Sequence, residues 1–466
     1  MENVQVGVII KQGPKPWEII QQRNGSASIE LSGTWFLREE AETAQAHIRI
    51  VREESAETVV DWTKASMGDE QSWSVRLDGV PAGGLYRVES CLQVNGKIDL
   101  EWAIRGDMIH HVGIGDLWII AGQSNAAGYG KGPVNDAPEF GIHLFRNNGQ
   151  WDLATHPFNE STDTQHIENR ETANPGHSPF MAFARILKRE TGYPIGLVQT
   201  SLGGSALRAW NPNEEGTLYR NMLNIVKAVG GRVRGVGWYQ GCSDCDPENS
   251  DTYGARFSAM VSQWRKDLKH ADLPFVTVQL NRFTGKGTTV EDDRSWGVVR
   301  ERQRMAAHEI PRVTVIPAND SPLSDEIHNS PAGNLLIGER MARAALATEY
   351  GKEIHYRAPE ISRARWIAEP TSGHATVELE FDHVGGYLVS IAPAGPVFAL
   401  EDEKGGVEVK DWNITGRNTI QLTAGRPIHG QAYVHGGSER NPSAYFPLDS
   451  LTYMPMLSFY GVPLSK

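Results

Sequence analysis

Three side chains carry the chemistry that this sequence can do. Ser124 lies in DLWIIAGQSNAAGYG (116–130), and Asp325 and His328 lie in ANDSPLSDEIHNSPAG (318–333). A serine between small and polar residues is by itself an ordinary turn or helix cap. With a histidine it becomes a nucleophile, because imidazole can accept the hydroxyl proton near neutral pH. An acid on the other ring nitrogen fixes the tautomer and stabilises the imidazolium, and Asp-x-x-His delivers both groups from one short loop. Such a set attacks an ester carbonyl. The oxyanion that forms then needs donors already in place, each worth roughly 2.7–4 kcal/mol. The Ser124 N–H, the Gly204 N–H and the Gln240 side-chain amide are the candidates. Gln123 and Asn125 beside the serine, with Arg208 and Trp210 in SLGGSALRAWNP, are the candidates for substrate contact.

These residues lie far apart in the chain, so the elements between them must bring them together. Five apolar runs read as buried strands: 116–121, 195–200, 233–240, 275–280 and 312–317. Longer helical patterns alternate with them. SPFMAFARILKRETG has Ser178 as the expected N-cap, and NSPAGNLLIGERMARAALATEYG has Ser330 followed by Pro331. Alternation of this kind predicts a five-stranded parallel sheet with helices on both faces. In such a sheet the site lies beyond the carboxyl ends of the strands. GQSN follows the first strand, SLGG the second, QGCSDCD the third, and the Asp-x-x-His loop the fifth.

The flanks read differently. Residues 1–112 hold short alternating runs, SASIELSGTW, AHIRIVREE, WSVRLDGV, GLYRVESCLQVNG and IDLEWAIRG, as expected of an antiparallel sandwich. After about 352 the β rhythm returns in HATVELEF, GYLVSIAP, TIQLTA and QAYVHG. The expected organisation is an N-terminal β-sandwich-like domain (1–112), an α/β catalytic domain (113–352) and a C-terminal β domain (353–466).

At 466 residues the chain has room for several domains, and 39% hydrophobic with 22% charged residues is a globular composition. A net charge of −12 opposes general nucleic-acid binding, which needs a basic surface. No apolar run approaches the ~20 residues of a membrane span. The start, MENVQVGVIIKQGPKPWEII, lacks the basic and apolar regions of a secretory signal, so a cytoplasmic location is expected for the chain as written. Cys91, Cys242 and Cys245 are too few for a disulfide framework. Cys242-x-x-Cys245 lacks the partners of a zinc site, and reversible pairing near the active rim competes with the reading as buried thiols. His110-His111 reads as a domain junction rather than a metal site. No metal or cofactor is expected, and oligomeric state is not legible.

Four pieces in order carry a family resemblance: GDLWIIAGQSNAAG, SLGGSALRAW, GWYQGCSD and DEIHNSPAGNLLIGERMA. Together they resemble the SGNH hydrolases, and within these the branch of sialate O-acetylesterases and related carbohydrate acetylesterases. The resemblance implies a flavodoxin-like three-layer α/β/α domain and metal-free ester hydrolysis through an acyl-serine, with an acetylated carbohydrate as partner. Many relatives carry a glutamate where this chain has Cys242, and in some that glutamate is assigned as the triad acid. The acid role here falls to Asp325, with Asp244 second, or to a backbone carbonyl orienting the imidazole of a Ser124–His328 dyad. The expected activity is removal of O-acetyl groups from sialic acid or from xylan- or xyloglucan-type oligosaccharides. Its rivals are a lipase- or thioesterase-like activity on the same scaffold and a carbohydrate-binding protein with an inactive centre.

Overall fold

The computed structural model describes residues 5–38, 41–96, 99–173, 175–368, 375–391, 396–443 and 445–465. At its centre lies a sheet in the order Trp151–Leu153, Ile142–Phe145, Ile195–Gln199, Ile104–Gly122, Gly235–Tyr239, Phe275–Val278, Val313–Ile316. All neighbours are parallel except the first pair. Among the described residues six strands therefore run parallel where five were expected. The added one, Ile142–Phe145, is only four residues long and carries His143 in mid-run, which hides it from an apolar-run criterion.

Helices cover both faces, as the side-chain alternation of one strand shows. A Cβ on Gly237 would meet the Phe180 ring and Met341, on helices Phe180–Thr191 and Pro331–Glu349. The next residue, Trp238, points the other way. Its ring packs edge-on against Trp210 and Trp264, of helices Leu207–Trp210 and Tyr253–Asp267. Pro331–Glu349 starts as its sequence predicts, with Ser330 Oγ accepting the Gly333 N–H (3.2 Å) and proline in the first turn. In the other helix the N-cap position is Pro179, one residue later than expected. The Ser178 hydroxyl still accepts the Phe180 N–H (3.4 Å), and it donates to the Ala126 carbonyl (3.1 Å), tying this helix start to the turn that carries Ser124.

On the N-terminal side, strands Gly7–Gln12, Ser26–Phe36, Ser72–Pro81 and Ser66–Met67 form one sheet, and Ala44–Arg52, Thr58–Lys64 and Gly84–Val94 pair into a second. Ile29, Leu31, Trp73 and Leu77 of the first share a core with Ile48, Ile50, Val88 and Val112 of the second. Strand Ile104–Gly122 belongs both to this second sheet and to the central one, and the boundary drawn at 112/113 falls inside it. IDLEWAIRG does not form the expected strand. Leu100–Trp102 is a single 3-10 turn, the strand starts at Ile104, and Ile98 lies outside the described residues.

On the C-terminal side two four-stranded sheets and a two-stranded ribbon enclose a separate core that includes Val377, Leu379, Ile420, Leu422, Val434 and Phe459. GYLVSIAP contributes only Leu388–Val389 as strand. His374 of HATVELEF and the last two residues of GYLVSIAP lie outside the described residues.

Candidate active site

The central strand ends at Gly122, whose φ of +126° and contact with the Tyr239 backbone leave no room for a Cβ. The chain then turns into the short helix Ser124–Ala127. Ser124 is its first helical residue, so its N–H has no intrahelical acceptor. Its hydroxyl lies 3.0 Å from His328 Nε2, and His328 Nδ1 lies 2.7 Å from Asp325 Oδ2. The second carboxylate oxygen accepts the N–H groups of Ile327 (2.9 Å) and His328 (2.8 Å). Burial pushes the Asp325 carboxyl up, but these bonds and the imidazole outweigh it and hold the group below its usual range. The bonded Asp325 carboxylate orients Nδ1–H towards itself and leaves Nε2 free to accept from the serine.

The glycine turn after strand Ile195–Gln199 packs beside this relay. Leu202 N–H (3.1 Å) and Ser205 Oγ (3.3 Å) both donate to the Gly122 carbonyl, and Ser243 Oγ donates to the Gly204 carbonyl (3.2 Å). Gly204 has φ +68° and is exposed. Among the described residues its N–H and that of Ser124 have no hydrogen-bond acceptor.

Gln240 does not present a third donor. It is fully buried, and its amide donates to Asp244 Oδ2 (2.5 Å) and to the Ser205 carbonyl (3.2 Å) while its oxygen accepts from the Tyr253 hydroxyl (3.2 Å). It braces the glycine turn from below. Asp244 is equally engaged. It accepts from Leu207 N–H (2.9 Å), Gln240 and Arg256 (3.3 Å), with no bond to His328. Burial raises its carboxyl despite these partners.

Three of the four substrate-contact candidates, Gln123, Asn125 and Trp210, are buried and bonded within the protein. Asn125 is buried, and its Oδ1 accepts the backbone (3.0 Å) and side-chain (3.1 Å) N–H of Asn329 while its Nδ2 donates to the Ile327 carbonyl (3.2 Å). It clamps the histidine loop to the serine turn. Gln123, also buried, accepts the Gly241 N–H (3.0 Å) and fixes the third loop. Trp210 is 0% exposed, with its indole N–H on Ser205 Oγ (3.0 Å), so no sugar can stack on it. Arg208 is at the surface, paired with Glu215 (2.7 Å). Gln123 and Asn125 face neighbouring loops because a turn at a strand end needs its own polar groups satisfied before it can hold a nucleophile still.

Two residues that the sequence reading passed over line the relay. The Tyr129 ring stacks on His328, centroids 4.9 Å apart and tilted 28°. Its hydroxyl and the Glu171 carboxylate both lie against Gly203, and burial, then Glu171, raise the phenol far above its usual value. Glu171 Oε2 also accepts the Gly203 N–H (3.0 Å). A Cβ on Gly203 would collide with the Tyr129 hydroxyl. Tyr129 sits only five residues past the serine, but Glu171 lies in a long irregular loop, where no periodicity signals a role.

Cys242 and Cys245 are free thiols. Burial pushes Cys242 up to about 12 and Cys245 well above its usual value, so both stay protonated. A cluster of Asp136, His156 and His177 stands apart from the relay. Both imidazoles bond to Asp136 Oδ2 (3.1 and 2.8 Å), and Arg185 donates to the other oxygen (2.5 Å).

A serine, a histidine and an aspartate in hydrogen-bonded series, at the carboxyl edge of a parallel sheet and beside an exposed glycine N–H, define a serine-hydrolase type of site. The chain belongs to the carbohydrate esterase, sialic acid-specific acetylesterase family, whose signature matches residues 114–347. A probable carbohydrate esterase of Arabidopsis thaliana is 28% identical over 254 residues, covering 50% of this chain and 90% of that protein. The sialate O-acetylesterase of Homo sapiens is 24% identical over 288 residues, covering 52% of this chain and 53% of its own, about half its length. A carbohydrate acetylesterase from Xanthomonas citri superposes with a TM-score of 0.66 at 23% identity, over 96% of this chain and 99% of that one, a likeness of fold.

Proposed function

We propose that this chain is a carbohydrate O-acetylesterase that works through an acetyl-serine at Ser124. The observation that carries the reading is the unbroken series Ser124 Oγ–His328 Nε2 (3.0 Å) and His328 Nδ1–Asp325 Oδ2 (2.7 Å). Ser124 Oγ attacks the acetyl carbonyl as its proton passes to His328 Nε2. The Ser124 and Gly204 N–H groups hold the oxyanion. Collapse expels the sugar as an alcohol, which takes its proton from the imidazolium. Water then enters against the acetyl-serine, His328 removes its proton, and acetate leaves with the serine restored. Asp325 remains ionised throughout and stabilises the imidazolium.

We read residues 113–352 as a flavodoxin-like catalytic unit carrying an extra parallel strand, with β units over 1–112 and 353–466. Acetylated sialic acid and acetylated xylan- or xyloglucan-type oligosaccharides are the substrate classes that family membership supports. The test is acetate release from both classes and from an octanoate ester, with Ser124→Ala in parallel. Release from an acetylated sugar that Ser124→Ala abolishes supports the reading. Full activity in that variant, or preference for octanoate, overturns it.

A further inference from the structure

The carboxyl ends of strands Phe275–Val278 and Val313–Ile316 are covered by the C-terminal chain. Gln279, just past the first, donates through Nε2 to the Ser458 carbonyl (2.9 Å) and accepts the Ser458 N–H (2.8 Å). Asn319, beyond the second, donates to Ser458 Oγ. Helix Val290–Glu309 supplies Arg300, fully buried, which donates to the carbonyls of Leu280 (3.1 Å) and Asn281 (2.5 Å) on one side and of Ser438 (3.1 Å) and Glu439 on the other. A buried guanidinium shared in this way locks the 437–440 turn to the strand end, because every released carbonyl would be left unpaired.

Arg440 extends that turn into a neighbouring loop. It is 8% exposed and donates to the Gly285 carbonyl (2.7 Å) and Thr288 Oγ1 (2.5 Å), with its guanidinium 4.5 Å from the Phe283 ring centroid. Its own carbonyl accepts the Phe283 N–H (2.9 Å). The segment so held leans on the residue next to Asp325, since both the N–H (2.8 Å) and the hydroxyl (3.3 Å) of Thr284 donate to the Glu326 carbonyl. The Asp325 side chain is 48% exposed, and among the described residues the bonds it accepts come from its own loop. Its direction is therefore set by the loop backbone.

We propose that Arg440 is a positioning residue for the Asp325–His328 pair, acting through segment 283–288, and that the C-terminal β sheets form a wall of the active site instead of a separate appendage. The inference rests on the esterase reading of Ser124. Arg440 touches none of the reacting atoms. It fixes where the Asp325 carboxylate stands, and so how well the imidazolium is stabilised. The groups facing the imidazole are Asp325 and Ser124, with the Tyr129 ring on its face and Glu171 behind that ring.

The experiment compares the full chain with Arg440→Ala, Arg440→Lys, Thr288→Val, the remote surface variant Tyr387→Ala, and Ser124→Ala. Each is assayed on 4-nitrophenyl acetate across pH, well below its unfolding temperature. Arg440→Ala is expected to lower kcat about tenfold with little change in KM, as small misplacements of catalytic groups do. Its acid limb should move to lower pH, because the Asp325 counter-charge is held less closely to the imidazolium. Lysine should restore part of the rate, Thr288→Val should shift both quantities less but in the same direction, and Tyr387→Ala should match the parent. Parental kcat and pH profile in folded Arg440→Ala overturn the inference. If that variant does not fold, parental values in Thr288→Val overturn it. An active Ser124→Ala would instead overturn the esterase reading.

Discussion

Ser124 Oγ and His328 Nε2 stand 3.0 Å apart although 204 positions separate the two residues. Parallel strands make this meeting possible, because each delivers its following loop to the same edge of the sheet. Ser124→Ala removes the nucleophile and His328→Gln the base. Each is expected to lower kcat at least about 10⁴-fold on 4-nitrophenyl acetate, and the double variant little further, since the two act as one unit. Multiplicative losses would show that they act separately.

Asp325 and Asp244 should separate cleanly. Asp325→Asn keeps the shape but removes the counter-charge of the imidazolium. It should cost roughly 10²–10⁴-fold in kcat and shift the acid limb of the rate profile to lower pH. Asp244→Asn perturbs a buried cluster with Gln240 and Arg256, and should lower the thermal midpoint while leaving the limb in place. If instead Asp244→Asn moves the limb, it is Asp244 that serves as the acid.

The oxyanion assignment is tested at Gly204. Alanine there meets no atom within 4 Å but must adopt φ +68°, at a backbone cost of roughly 1–2 kcal/mol. A turn that relaxes from this angle swings its N–H away, so kcat should fall well beyond the loss in stability. Gln240→Met should do the reverse, costing about 1–3 kcal/mol of unfolding free energy by leaving the Ser205 carbonyl unpaired and taking one of three donors from Asp244. Urea unfolding and kcat on the same samples decide between the two patterns.

Glu171 accepts the Gly203 N–H and lies beside the Tyr129 hydroxyl, between the histidine face and the glycine turn. Glu171→Ala should lower kcat about tenfold or more, and Glu171→Gln, which keeps an acceptor for Gly203, less. The expected order of rates is parent, glutamine, alanine. Equal rates in all three would remove Glu171 from any role at the site.

Acid sensitivity should come from buried neutral histidines as well as from carboxylates. Burial pushes His143 and His435 down to about 4, and the Nδ1 atom of His435 accepts the Gly461 N–H (3.0 Å), a bond that needs the neutral ring. The unfolded chain binds these protons near pH 6.5 and the folded chain only near 4. Their stabilising effect is therefore complete above about 6.5 and lost as pH falls towards 4, at roughly 3 kcal/mol for each histidine. The urea midpoint should drop between pH 7 and pH 5, and His435→Asn should flatten that drop. Coincident midpoints at the two pH values would contradict the assignment.

Much of this architecture was legible because it is local. The strand runs, the Ser330-Pro331 helix start, the serine turn, the glycine turn and the Asp-x-x-His loop announce themselves within a few residues, and parallel topology then requires the three loops to share one edge. The strand Ile142–Phe145 escaped because four residues around a histidine carry too little periodicity to separate from a loop.

The sequence by itself determined which residue types stand at each strand end, and with them the class of chemistry. Only the tertiary structure decided how each polar side chain is used. Gln123, Asn125 and Gln240 look in the sequence like groups waiting for a substrate, yet each satisfies a neighbouring loop. Trp210 looks like a sugar platform and is core. Glu171 and Arg440 carry no sequence signal and reach the surroundings of the relay from two distant segments. The physical reason is that hydrogen-bond partnership depends on distance in space, and a buried polar group takes whichever partner the fold brings within about 3 Å.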